Sequence, residues 1–258
     1  DDADLNFDGE LSRSSGGKFV DSVDIKAQHP FYYDFFNSTQ AISPLFDLKA
    51  SSDPTQDTDS LRTGVEWDWV LGSRRVGPLQ QLDLRNSAYV ESDRHFKDTN
   101  FLWGSKLVLL SIAPESKDRV VQTYIRPYFG FEIGKNLKSP VPLGGEDVVA
   151  RGLIGLTQVV SFRIKQPGIK EIDIETTYER RMLMRKETSF VELPDKTLQA
   201  VSFGRTPKDW VDSKLTFKFT DFFGATVEYQ FGQKPPTYNL VNHTLKIGLL
   251  FRAKFKSS

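Results

Sequence analysis

From Glu171 to Met182 the chain puts Glu171, Asp173, Glu175, Thr177, Glu179 and Arg181 at every second position. Ile172, Ile174, Tyr178 and Met182 alternate with them, and Arg180 interrupts the apolar file. Carboxylates in this number are candidate oxygen ligands for calcium. A period of two spreads them along one face of a strand and does not gather them around a point. A solvated or salt-bridged wall is therefore the expected outcome, with no metal and no cofactor. The histidines are His29, His95 and His243. His95 follows Ser92 and Asp93, but nucleophilic catalysis needs a base held by a third group in space, and neighbours on one loop rarely supply that. The chain contains no Gly-x-Ser-x-Gly, no phosphate-binding glycine loop and no His-Glu-x-x-His. An enzyme is not expected; a hydrolase built on His95 or His243 is the third choice.

The elements that must carry these charges are strands. Leu245, Ile247, Leu249, Phe251, Ala253 and Phe255 share one face of the last segment, with Lys246, Gly248, Arg252 and Lys254 on the other. Leu250 alone breaks the rule. The pattern recurs. Val121, Ile125, Phe129, Phe131 and Ile133 oppose Gln122, Tyr124, Arg126, Tyr128 and Glu132. Ile154, Leu156, Val160, Phe162 and Ile164 oppose Thr157, Ser161 and Arg163, and Leu215, Phe217 and Phe219 oppose Lys214, Thr216 and Lys218. Phe223, Ala225, Val227, Tyr229 and Phe231 oppose Thr226, Glu228 and Gln230. Adding Glu66 and Asp68, the candidate inner face comprises Glu66, Asp68, Arg126, Glu132, Arg163, Glu171, Asp173, Glu175, Glu179, Arg181, Lys214, Lys218, Glu228, Lys246, Arg252 and Lys254.

Alternation and turn residues predict strands over 43–51, 61–71, 81–91, 101–112, 119–134, 150–165, 169–183, 187–193, 197–204, 213–220, 223–232 and 244–255. Punctuation falls at Asp53-Pro54, Gly77-Pro78, Gly144-Gly145, Pro167-Gly168, Pro194-Asp195 and Pro235-Pro236. Many of these strands exceed the five or six residues usual in globular sheets and match a tilted crossing of a bilayer. The expected fold is all-β: an antiparallel up-and-down transmembrane β-barrel of about twelve strands, with fourteen as the alternative. Residues 43–258 form the barrel, and residues 1–42 are a separate N-terminal segment that serves as an extra hairpin, a plug or a flap. Its aromatic cluster of Phe31, Tyr32, Tyr33, Phe35 and Phe36 suits a membrane interface. Segment 101–112 is apolar on both faces apart from Lys106. That predicts burial on both sides by the N-terminal segment, or a different register.

Composition agrees and excludes alternatives. Lys plus Arg and Asp plus Glu are each 34, so the balanced chain lacks the basic excess of a nucleic-acid binder. Cysteine is absent, which excludes disulfides and thiolate metal sites. The longest apolar run, about Leu107 to Ala113, is far short of a spanning helix. Phe 20, Tyr 8 and Trp 4 suit aromatic girdles. The opening Asp1, Asp2 and Asp4 do not resemble a signal peptide, as expected of an exported chain after cleavage and equally of a cytosolic fragment. Placing both termini on the periplasmic side puts 135–149, 205–212 and 233–243 outside. The turns at 166–168, 194–196 and 221–222 then lie inside. Met184–Lys186 is short for an external hairpin and 72–80 long for an internal link.

The run Ile125-Arg126-Pro127-Tyr128-Phe129-Gly130-Phe131-Glu132-Ile133-Gly134 and the terminal strand Thr244 to Phe255 resemble bacterial outer-membrane β-barrel proteins. The resemblance covers about Ser43 to Phe255. It implies location in the bacterial outer membrane, outer-membrane lipid as the surrounding partner, other envelope proteins as further partners, and no nucleic acid. Such proteins often end on an aromatic residue, whereas here Phe255 precedes Lys256, Ser257 and Ser258. The function expected first is a small porin-like channel for polar solutes. The acidic strand 169–183 would face the basic strands 213–220 and 244–255 across the lumen. In a narrow lumen opposite charges pair and close it. The second expectation is a non-conducting barrel, an anchor or a subunit of an envelope assembly.

Overall fold

The computed structural model describes residues 4–15, 19–28, 31–35, 38–51, 60–72, 81–93, 96, 98–112, 120–139, 147–166, 168–192, 197–233 and 240–256. His29, His95 and most of the punctuating residues lie outside them, as do Phe36 and the side chains of Asp93, Arg252 and Lys254. The described residues form strands and no helix. In order these are β1 (Asp4–Ser15), β2 (Phe19–Gln28), β3 (Phe31–Phe35), β4 (Ser38–Ser51), β5 (Ser60–Gly72), β6 (Gln81–Asp93), β7 (Thr99–Ile112) and β8 (Val121–Lys138). There follow β9 (Val148–Gln166), β10 (Ile169–Leu183), β11 (Glu187–Glu192), β12 (Leu198–Phe203), β13 (Lys208–Lys218), β14 (Phe223–Gln233) and β15 (Leu240–Lys256).

One antiparallel sheet makes the wall. It holds 13 strands, and β2 and β3 lie end to end along β4, so thirteen minus one leaves twelve wall positions. Neighbours in sequence pair as hairpins, except that β10 pairs with β13. The ring is complete because β1 pairs with both β15 and β2, and β2 also pairs with β4. Among the described strands the short β3 pairs only with β4, and every other wall strand is paired on both sides, as strands that cross a bilayer require.

The expected number of wall strands stands, but two members differ. Segments 187–193 and 197–204 are β11 and β12, which pair only with each other. At 6 residues each they are shorter than the roughly 9–11 a tilted crossing needs. Their places are taken by β1 and β2, of 12 and 10 residues. The expected turn 194–196 lies outside the described residues, and Met184–Lys186 is no complete external hairpin. Both belong to a single connection, 184–207, that carries the β11–β12 hairpin.

Antiparallel order then assigns the ends. One end carries the termini with the connections 36–37, 73–80, 113–120, 167–168 and 219–222. The other, the loop end, carries 16–18, 52–59, 94–98, 139–147, 184–207 and 234–239. The loop end holds the longest connection and would be the external one in an outer membrane by the usual rule of short periplasmic turns.

Alternation sorts the side chains as strand geometry requires. Phe129, Phe131 and Ile133 on β8, Ile154 and Leu156 on β9, Ile174 and Met182 on β10, and Leu245, Ile247, Leu249 and Phe251 on β15 are exposed on the exterior. At the terminal end Phe223 meets Phe219 and Phe251 at ring-centroid distances of 5.7 and 5.6 Å, where an aromatic girdle sits. On the two-sided apolar strand β7, Phe101 and Trp103 are exposed outward while Leu102 and Val108 are buried inward. What covers Leu102 is the wall itself: Tyr89, Val149 and Leu45 pack on it inside the lumen.

A contiguous apolar exterior of this extent is tolerated in lipid and not in water. Ile247, 61% exposed between Leu245 and Leu249, tests the face assignment. Ile247→Arg is expected to cost about 2–4 kcal/mol of folding into lipid vesicles if it sits near the midplane, read from denaturant titration of the membrane-inserted state. An unchanged titration would put Ile247 outside the hydrocarbon.

Candidate functional site

Inward side chains from β5 to β10 converge at the loop end. The hub is Arg151, near the start of β9 and only 1% exposed. Its register partner on β8 is Glu132, whose Oε2 lies 3.3 Å from Nη1. Its Nη2 donates to Glu91 of β6 at 3.1 Å, and its Nε donates to both carboxylate oxygens of Glu187 at 3.0 Å. Arg181 on β10 extends the network, with Nη1 3.1 Å from Glu132 and Nε 2.6 Å from Glu179. Tyr128 donates its hydroxyl to Glu179 at 2.7 Å, and the Lys106 ammonium stands 4.0 Å from the same carboxylate. The Arg62 guanidinium lies 3.7 Å over the Tyr89 ring, and its register partner is Glu91.

These contacts are chords across the lumen. Strands β6 and β9 are separated in the wall by β7 and β8, yet Glu91 and Arg151 touch. Lys106 on β7 likewise reaches Glu179 on β10. Arg151, Arg181, Glu91, Glu132, Glu179 and Glu187 are none of them more than 7% exposed. The cations Arg62, Lys106, Arg151 and Arg181 match the carboxylates Glu91, Glu132, Glu179 and Glu187 one for one, as burial demands. Close packing needs space as well as charge. A Cβ on Gly155 would fall 2.2 Å from the Tyr128 ring, so the absent side chain is what lets Tyr128 lie across β9 toward Glu179.

Glu187 belongs to no wall strand. It opens β11, so the hairpin in connection 184–207 closes over the cluster through Glu187 and through the buried contact of Phe203 with Leu183. The lumen toward the terminal end is different: Arg163 and Glu175 are exposed there, and Asp68 and Arg85 are about a third exposed.

Of the residues singled out from sequence, Glu132, Glu179 and Arg181 meet in the cluster. Glu171 and Asp173 share the Lys218 ammonium at 2.7 and 2.6 Å, in the place a bridging cation would take. Glu175, Lys214, Glu228 and Lys246 fall into one cross-strand row by register. The expected transverse field is corrected by this pairing. Acidic β10 lies directly beside basic β13, so their charges neutralise along the wall and not across the lumen. Asp68 lies 3.7 Å from Arg85. Glu66 and Arg126 are half-buried and enter no contact described above. Arg252 is placed only by its backbone, opposite Asp8.

Sequence reasoning missed Arg151, Glu91, Glu187, Arg62 and Lys106 as members of the site. Arg151 shares parity with Thr157, Ser161 and Arg163 and was legible as the next member of that file. His243 sits on the exterior, with Nδ1 2.7 Å from the Tyr229 hydroxyl and its ring 4.8 Å from that of Phe231. Its described partners are aromatic and include no serine.

No family model matches the chain, and no curated protein sequence matches it. Several solved structures are similar to it in form. A NanC porin aligns at 12% identity over 95% of this chain and 98% of that one, with a TM-score of 0.44. LpxR from Salmonella typhimurium aligns at 11% over 95% and 99%, with 0.47. The transport unit of the autotransporter AIDA-I from Escherichia coli aligns at 7% over 100% and 90%, with 0.47. The chain itself is a closed antiparallel β-barrel of twelve wall positions with an apolar exterior, an architecture by which strands can cross a bilayer.

Removing the hub tests the cluster. Arg151→Ala leaves Glu91, Glu132 and Glu187 facing one another, and losing one partner of a buried ion network costs about 3–5 kcal/mol. The loss is expected as a lower unfolding midpoint in denaturant and a lower temperature of gel-mobility shift. Arg151→Lys is expected to recover little, since one ammonium cannot serve three carboxylates in a planar fork. A wild-type midpoint in the alanine variant would show the network to be energetically idle.

Proposed function

We propose that this outer-membrane barrel is a narrow gated conduit for small polar solutes, shut at its external end when at rest. The supporting observation is the unequal filling of the lumen. The half toward the termini is lined by charges that solvent reaches, including Arg163 and Glu175. The external half ends in an ion cluster, one member of which, Glu187, comes from a connecting hairpin and not from the wall. If that hairpin swings away, Arg151 loses a carboxylate and Leu183 loses Phe203, while Glu91 and Glu132 still hold the guanidinium to the wall. Paired charges of both signs below the cluster suit zwitterionic or polar solutes more than simple ions of one sign.

The apolar contact of Tyr89, Leu102 and Val149 within the lumen favours a second reading, a barrel that never conducts and serves as an anchor. Planar-bilayer recording separates the two. Wild type is expected to be mostly silent with rare openings. A variant carrying Glu187→Gln, with 188–202 replaced by a short Gly-Ser linker, is expected to open several-fold more often. Silence from that variant, while it still shows the gel-mobility shift of a folded barrel, would overturn the conduit and leave the anchor.

A further inference from the structure

The apolar exterior is broken by two polar rows among the described residues: Asn86 beside Ser105 on β6 and β7, and a longer row across three strands. On β9, β10 and β13 the outward positions run Leu156-Gln158-Val160, Ile174-Thr176-Tyr178 and Val211-Ser213-Leu215. Thr176 is the register partner of both Gln158 and Ser213, so the three polar residues form a row across three strands. Nonpolar or aromatic residues flank that row on both sides along every strand. The Thr176 and Ser213 hydroxyls are 2.9 Å apart. The Gln158 amide is exposed and meets no hydrogen-bonding side chain among the described residues. Toward the loop end, Arg180 donates from Nε and Nη2 to Asp209 at 2.9 and 3.1 Å, and Tyr178 donates to the same carboxylate at 2.7 Å. This pair also faces outward, 46% and 42% exposed, with exposed Met182 beyond it.

Gln158, Thr176 and Ser213 sit near the middles of their strands, where acyl chains offer them nothing to bind and polar side chains are costly, while Arg180 and Asp209 sit at the loop-end rim, three residues from the end of β10 and second in β13. We propose that this face, centred on the seam between β10 and β13, is where two copies of the chain meet about a two-fold axis normal to the membrane. The patch is complementary to itself. Arg180 and Asp209 are register partners on adjacent strands, one basic and one acidic. A two-fold axis on the seam sets β10 of each copy against β13 of the other. Arg180 then comes opposite Asp209 twice, and Thr176 comes opposite Ser213 twice. An isologous contact needs such a donor and acceptor side by side at one level. Gln158, one strand from the seam, gains a neighbour that can accept or donate.

Charge reversal with mixing tests the axis directly. Arg180→Glu alone sets Glu against Asp209 at both contacts. Asp209→Arg alone sets Arg against Arg180. Each variant is expected to sediment as a monomer in density-matched detergent where wild type is a dimer, with association at least about tenfold weaker. An equimolar mixture restores opposite charges at both contacts and is expected to recover the dimer. Gel mobility before and after heating reports that each variant is folded. Gln158→Leu removes a polar group without touching the ion pair and is expected to weaken the dimer while leaving the monomer folded. The chain has no cysteine, so Thr176→Cys mixed with Ser213→Cys supplies a cross-link free of background, expected between copies in vesicles. Four results would overturn the proposal: a wild type monomeric in detergent and vesicles, unaltered dimers in both reversal variants, a mixture that does not recover, or a different protein or a bound lipid occupying the face of a monomeric wild type.

Discussion

Inside hydrocarbon a backbone N–H or C=O has no water to turn to, so a sheet that crosses must leave no edge. The pairing of β2 with β4 meets that requirement and determines the rest. It closes twelve strands into a ring, and the number of strands sets a modest bore. A modest bore brings side chains from non-adjacent strands within hydrogen-bond reach, as Glu91 and Arg151 show. Once they touch, their charges must cancel. The ion cluster is thus a consequence of closure at this circumference, given a wall whose inner file is charged.

A guanidinium at the hub follows from the same geometry. Three carboxylates approach Arg151 from β6, β8 and β11, and a planar fork with five donors can answer all three at once. Arg181 repeats the arrangement at smaller scale between Glu132 and Glu179. The desolvation penalty of such a network is large, and apolar residues of like volume would often hold the wall as well. What a charged network adds is conditional stability: it is satisfied only while every partner is present. Glu187, supplied by a connection, is the partner that can leave without breaking the wall.

Much of the wall was legible in the sequence because alternation is a local property. Strands β8, β9, β10, β14 and β15 were read with the right faces, since long runs of Phe, Ile and Leu against charged residues admit one register. Three features escaped for reasons that are not local. Residues 4–28 alternate only weakly, and their membership of the wall depends on β15 and β4 standing beside them. The hairpin 187–203 alternates like a crossing, and only its length separates it from one. The inner face of β7 is apolar because Tyr89, Val149 and Leu45 oppose it in space, a contact no single strand announces. The acidic and basic strands were recognised, but their adjacency was not, because β13 follows β10 in the wall only once the hairpin between them is set aside.

Successive residues of a strand point to opposite faces, and on β10 that rule ties interior to exterior. Arg181 enters the cluster, while Arg180, one residue earlier, holds Asp209 on the outer face. Tyr178 and Glu179 repeat the division, one bound to Asp209 outside and the other to Tyr128 inside. A rotation of this segment that strains one set of contacts strains the other, because no flexible element lies between them. The loop-end half of β10 is therefore held by side-chain contacts on both faces, and the connection that follows it carries Glu187. The two sets of contacts are joined by the backbone of four consecutive residues, Tyr178 to Arg181.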